Sequence, residues 1–155
     1  MQIVDLRDAP QHLPQLAAWH HEQWSYLNPG QTLHHRLEKM HDHLQPVPLP
    51  RTFVAVADHG APMGSASLVA HDMDTHPELT PWLASVFVAP IHRQKGIGAA
   101  LVRRVMAAAR EAGIETLSLF TPDQEAFYQS LGWHTIAKER YHGDEVTMMQ
   151  VQLNA

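Results

Sequence analysis

The chain has no cysteine. Disulfides, thiolate metal sites and a thiol nucleophile are thereby excluded. Cationic residues are scarce as well. Eleven Lys and Arg stand against sixteen Asp and Glu, a formal net charge of -5 with His neutral. That balance argues against general binding to nucleic acid or to an anionic membrane. No run approaches the ~18 apolar residues of a membrane-spanning helix. Met1 to Arg7 is a short alternating run and not the apolar core of a signal peptide. A cytoplasmic location is the expectation.

The 155 residues are 45% hydrophobic and 17% charged, an ordinary soluble composition. That length predicts one domain over 1–155, with a core of its own. The thirteen histidines are unusual. His20-His21, His34-His35 and His41-x-His43 invite a metal reading. No paired carboxylate completes a ligand set at obvious spacing, so they are read as solvated helix and loop residues, with no metal. Together they would raise the net charge steeply near pH 6.

Hydrophobic periodicity orders the elements. Gln2 to Leu6 alternates as a strand. Leu13, Leu16, Ala17, His20, Trp24 and Leu27 recur at helical spacing until Asn28-Pro29-Gly30 stops them. Leu33, Leu37, Met40 and Leu44 mark a second helix, ended by the stiff connector Pro46 to Pro50. Thr52 to Ala57 and Met63 to Ala70 read as a hairpin. His71 to Thr80 is polar and turn-rich, which predicts an exposed loop. Trp82 to Ala89 is an apolar strand. Gly98 to Ala112 is the clearest helix, with Gly113 at its C-cap. Ile114 to Phe120 is a strand. Thr121-Pro122-Asp123-Gln124 matches a capping box that starts a helix reaching Leu131. Trp133 to Lys138 and Glu145 to Leu153 are the last strands. The order predicts an α+β fold with helices on both faces of the sheet.

One turn carries chemistry. After the strand through Val86, Phe87 and Val88 comes Arg93-Gln94-Lys95-Gly96-Ile97-Gly98-Ala99, basic and glycine-rich, opening a helix. A helix N-terminus leaves about four amide N–H groups without internal partners. Those donors and the helix dipole suit a phosphate or pyrophosphate. The glycines admit close approach, and Arg93 and Lys95 add charge at the rim. The dinucleotide fingerprint is absent, because its third glycine would fall at Leu101. The nucleotide-hydrolase loop is absent too, for want of Gly-Lys-Ser/Thr.

Arg93-x-x-Gly96-x-Gly98 after an apolar strand resembles the acetyl-CoA signature of the GNAT (Gcn5-related N-acetyltransferase) superfamily. Phe127-Tyr128-Gln129-Ser130-Leu131-Gly132-Trp133 resembles a second motif of that superfamily at the expected distance. The resemblance implies a mixed, mostly antiparallel twisted sheet of about seven strands. It implies that the backbone of Val86, Phe87 and Val88 pairs with the pantetheine arm of acetyl-CoA. Amides from Arg93 to Ala99 would hold the pyrophosphate, and Tyr128 would sit near the thioester sulfur. Leu117 to Gly132 and Glu22-Gln23-Trp24 also resemble the branch that contains the actin N-terminal acetyltransferase.

The implied reaction is transfer of an acetyl group to a primary amine. An amine with pKa about 10 is only ~0.1% neutral at pH 7, a penalty of roughly 4 kcal/mol unless a base or a dry pocket assists. With no cysteine for an acyl-enzyme, direct attack in a ternary complex is favoured; Ser85 is a poor nucleophile without a base. Tyr128 is the candidate general acid for the leaving thiolate. The base is not legible, although Asp72, Asp74, His76 and Glu78 lie in the loop before Trp82. The acceptor is a small amine or a peptide N-terminus. A coenzyme A-binding sensor without turnover is the alternative. Exposed-looking Trp and Met residues point either to an interface, and so to a homodimer, or to the core.

Overall fold

The computed structural model describes residues 1–154. Seven strands form one sheet in the order β1-β2-β3-β4-β5-β7-β6. They are β1 (Gln2–Asp5), β2 (Arg51–Val56), β3 (Pro62–Val69), β4 (Trp82–Val88), β5 (Thr116–Thr121), β6 (His134–Tyr141) and β7 (Asp144–Gln152). Four α-helices accompany them: α1 (Leu13–Trp24), α2 (Leu33–His41), α3 (Ile97–Glu111) and α4 (Glu125–Gln129). Every neighbouring pair of strands is antiparallel except β4 and β5. The expected mixed, mostly antiparallel sheet with helices on both faces is what the chain adopts.

Alternation along β2 builds the two layers. Phe53 and Ala55 point to one face and join Leu101, Val102 and Val105 of α3. Val54 points to the other and joins Leu13, Leu16 and Ala17 of α1 and Met40 of α2. Tyr128 of α4 packs on the α3 side, beside Trp133. A third cluster of Met73, Trp82, Tyr141, Val146 and Met148 closes the β4–β5–β7 region.

Two expectations need correction. The segment from His71 to Thr80 is a loop exposed at six of its ten residues, but it is anchored and not free. Met73 is 1% exposed and packs with Trp82 and Tyr141. His142 pairs with Asp74 at 3.0 Å, and His76 bridges Glu78 and Glu139 at 3.0 and 2.8 Å. These pins hold the loop against the β6–β7 hairpin. The helix expected from Pro122 starts at Glu125. Thr121 Oγ1 does accept the Gln124 N–H at 3.0 Å, but the residues between make a turn. Of the two readings of the Trp and Met side chains, the core holds for most: Trp82, Trp133, Met40, Met63, Met148 and Met149 are all buried.

The histidines also divide. His20 is buried, not solvated, and its Nε2 lies 2.8 Å from Ser65 Oγ. Burial, with Arg36 and His43 nearby, holds it down to about 3, so it is neutral at pH 7. Among the described residues, no three His, Asp or Glu side chains converge as metal ligands.

The β3–β4 register shapes the second half of β4. Ser65 pairs with Phe87, but Ser67 pairs with Ala84, so β4 carries one extra residue. Ser85 sits at this bulge with φ 53°. A bulge bends its strand and re-aims the residues beyond it. Just past it, Gly64 lies against the end of β4. A methyl group there would stand 2.5 Å from the Phe87 carbonyl oxygen and 3.2 Å from Val88 Cα. Gly64→Ala is therefore expected to destabilise the fold by about 1–3 kcal/mol and lower Tm by several degrees in a thermal melt. An unchanged Tm would contradict this packing.

Candidate active site

β4 and β5 pair only at Trp82 and Ser118, where the Ser118 N–H also donates to Pro81 O at 3.2 Å. Beyond that point they part. The wedge between them opens a cleft of about 650 Å³. Its walls are Leu83 to Val88 of β4 and Leu119 to Thr121 of β5, the latter running on to Gln124. Because the split passes through the sheet, the cleft touches both faces. Gly96 to Ala99, Phe127 and Tyr128 line it from the α3–α4 side; Trp24, Leu27, Asn28, Arg36 and Asp72 line it from the α1–α2 side.

The loop into α3 is shaped for an anion. Gln94 (φ 64°) and Gly96 (φ 79°) are left-handed, while Arg93 between strand and loop is extended. Such alternation turns successive amides toward one concave side. The first amide of the helix with a backbone acceptor is Ala100, bonded to Gly96 O at 3.1 Å. Among the described residues, the six N–H groups from Gln94 to Ala99 have no acceptor. Phe127 closes over this turn: a methyl group on Gly98 would lie 3.5 Å from Phe127 Cζ.

Every site residue expected from the sequence lines the cleft except Lys95, which is exposed beside it. Arg93 does more than add charge. Its Nε donates to Val88 O at 2.8 Å and its guanidinium lies 5.7 Å from the centre of the Phe87 ring. It braces the end of β4. Tyr128 is buried between Phe127 and Trp133, and its hydroxyl bonds to no described residue. Burial, then Asp123, pushes the phenol well above its ordinary range. Among the described residues Ser85 has no hydrogen-bonded base; the buried His20 is engaged with Ser65.

The family model for the acetyltransferase (GNAT) family matches residues 13–133. The chain belongs to that family. Solved structures agree on the fold. YncA from Salmonella typhimurium, solved with its cofactor acetyl-CoA, is 20% identical with a TM-score of 0.71, covering 100% of this chain and 95% of that one. A GCN5-related N-acetyltransferase from Kribbella flavida is 22% identical with a TM-score of 0.73, over 97% and 96% of the two chains. An aminoglycoside 6'-N-acetyltransferase complexed with coenzyme A is 16% identical with a TM-score of 0.75, over 100% and 98%. No match is found among curated protein sequences.

The α1–α2 side of this GNAT cleft is the part least visible in the sequence. Of the four polar loop residues before Trp82, only Asp72 reaches it; Asp74, His76 and Glu78 are held in ion pairs. Burial pushes the Asp72 carboxyl up to about 7, opposed in part by Lys39 and Arg36. Burial likewise lowers the Arg36 guanidinium, opposed by Asp72. Arg36 belongs to no local motif and is hidden among the histidines of α2.

A carboxyl whose folded pKa lies above its unfolded value of 3.8 stabilises the fold at low pH, and that contribution is lost as pH rises through about 7. Ionised Asp72 thus costs stability. Asp72→Asn is expected to raise Tm by a few degrees at pH 8 and by less at pH 5. A variant no more stable than the parent at pH 8 would contradict the desolvation of this group.

Proposed function

We propose that the protein is an N-acetyltransferase that moves the acetyl group of acetyl-CoA to a primary amine by direct attack in a ternary complex. The run of unpartnered amides from Gln94 to Ala99 at the mouth of the cleft carries this reading. They would take the pyrophosphate, with Arg93 and Lys95 adding charge. The backbone of Val86, Phe87 and Val88 would pair with the pantetheine arm as an added strand does. One carbonyl of that edge, Val88 O, already accepts from Arg93, and Phe87 pairs with Ser65 of β3, which leaves Val86 as the freer partner. Residues 1–155 serve as one acyltransferase domain.

The donor enters from the α3–α4 side and the amine from the α1–α2 side. The amine lone pair attacks the thioester carbonyl carbon, and the C–S bond breaks toward sulfur. Tyr128 gives its proton to the departing thiolate. A phenol raised by burial is a weak acid for a thiolate of ordinary pKa about 8.5. The same dry surroundings raise the proton affinity of the thiolate, so the match is recovered inside the cleft.

Thermal shift with acetyl-CoA and coenzyme A, and then thiol release across amines and peptides, test this directly. Both coenzymes should raise Tm, and at least one amine should release thiol. Stabilisation without release would leave a coenzyme A sensor; no shift would remove the donor assignment. In the active enzyme, Tyr128→Phe should lower kcat about tenfold or more with little change in acetyl-CoA affinity. An unchanged kcat would remove Tyr128 from proton transfer.

A further inference from the structure

The α1–α2 side of the cleft holds two opposite charges that do not meet. Arg36 and Asp72 both line it. Each shifts the proton affinity of the other, so they are near neighbours. Yet the ion pairs among the described residues engage other partners and leave both unbridged. Arg36 Nε is buried with no hydrogen-bond partner. A buried guanidinium donor without an acceptor is costly, and a bound carboxylate removes that cost in bidentate geometry. A carboxylate drawn out of water gains in the same way from a bound ammonium. Trp24 and Leu27 supply apolar wall beside them.

Resting on the N-acetyl-transfer reading, we propose that Arg36 and Asp72 form an acceptor subsite for an amine that also carries a carboxylate. Arg36 takes the carboxylate of this amino-acid-like acceptor. Asp72 takes the ammonium and then one of its protons.

Protons and electron pairs balance in this scheme. One ammonium proton passes to an Asp72 oxygen, leaving the nitrogen lone pair free. That pair forms the C–N bond as the C–S pair departs on sulfur. Tyr128 protonates the sulfur, and the second nitrogen proton replaces the one Tyr128 gave. Asp72 releases its proton to solvent, so the products are the amide, the free thiol and one proton. The charges that face Asp72 are Arg36 and Lys39 from α2, with the Tyr141 phenol from β6. The acceptor carboxylate weakens the pull of Arg36 on Asp72, and the ammonium seated against Asp72 keeps that carboxylate ionised until the proton moves.

The test is thiol release by the wild-type protein at saturating acetyl-CoA. The acceptors are α-, β- and γ-amino acids, each beside its carboxamide and beside the amine lacking the carboxyl group. The best acid should exceed its own amide by about tenfold or more in kcat/KM, the scale of one charge-assisted contact. Arg36→Gln should raise KM for the acid about tenfold while leaving KM for the amide and the acetyl-CoA thermal shift unchanged. Asp72→Asn should lower kcat/KM for acid and amide alike, by about 10²-fold. Equal kcat/KM for acid and amide would overturn the subsite and leave acetyl transfer standing. Release from no amine, with acetyl-CoA still raising Tm, would overturn the transfer reading and this proposal together. The acid-to-amide comparison uses only the parent protein, so it decides the matter even where Arg36→Gln fails to fold.

Discussion

Backbone N–H and C=O groups inside a sheet need partners, and β4 and β5 decline to supply them to each other. They pair at Trp82 and Ser118 and then diverge. Each buried backbone group left without a partner costs about 1–3 kcal/mol. A split of this kind survives only where water or a ligand fills it. The rest of the structure is arranged around that opening. The bulge at Ser85 bends β4 away. Gly64 lets β3 approach closely, and Arg93 ties off the carbonyl at the end of the strand. The amides of the α3 turn stand at the mouth.

The two faces of the sheet then separate two tasks. The α3–α4 face contributes hydrogen-bond donors, the helix terminus and a protonated phenol, all suited to an anionic donor with a sulfur leaving group. The α1–α2 face contributes an unpaired cation and a carboxyl held near neutrality in its protonation. Both groups are expensive to bury. Costly charges left unpaired in a cleft are a mark of function more often than of stability, although structural networks perturb pKa values as well.

What is legible in the sequence depends on how local each signal is. The strand, turn and helix from Val86 to Glu111 can be read almost to the residue, because apolar alternation, two glycines and a 3.6-residue period all lie within one short stretch. Strands β6 and β7 and helices α1 and α2 come from periodicity in the same way, while their pairing and packing come from the fold. The start of α4 lies a few residues beyond its sequence signal: Thr121 does cap, but the chain turns once more before the helix closes. Non-local contacts are invisible. The polarity of His71 to Thr80 implies exposure, yet contacts with β4 and with the β6–β7 hairpin bury Met73 and turn Asp72 to the cleft. His20 is counted among the polar histidines yet lies on the apolar stripe of α1, which accounts for its burial; its partner Ser65, on β3, is the part the sequence hides. Arg36 has no motif, and its meaning depends on the loop that carries Asp72, distant in sequence.

Whether the turn from Gln94 to Ala99 holds the pyrophosphate of the acyl donor can be read from backbone amide resonances, followed by NMR during titration with coenzyme A. The largest shifts, with new protection from hydrogen exchange, should fall on the amides of Gln94 to Ala99, with smaller shifts along Val86 to Val88. Saturable binding that leaves those amides unmoved and unprotected would place the pyrophosphate elsewhere and refute the assignment.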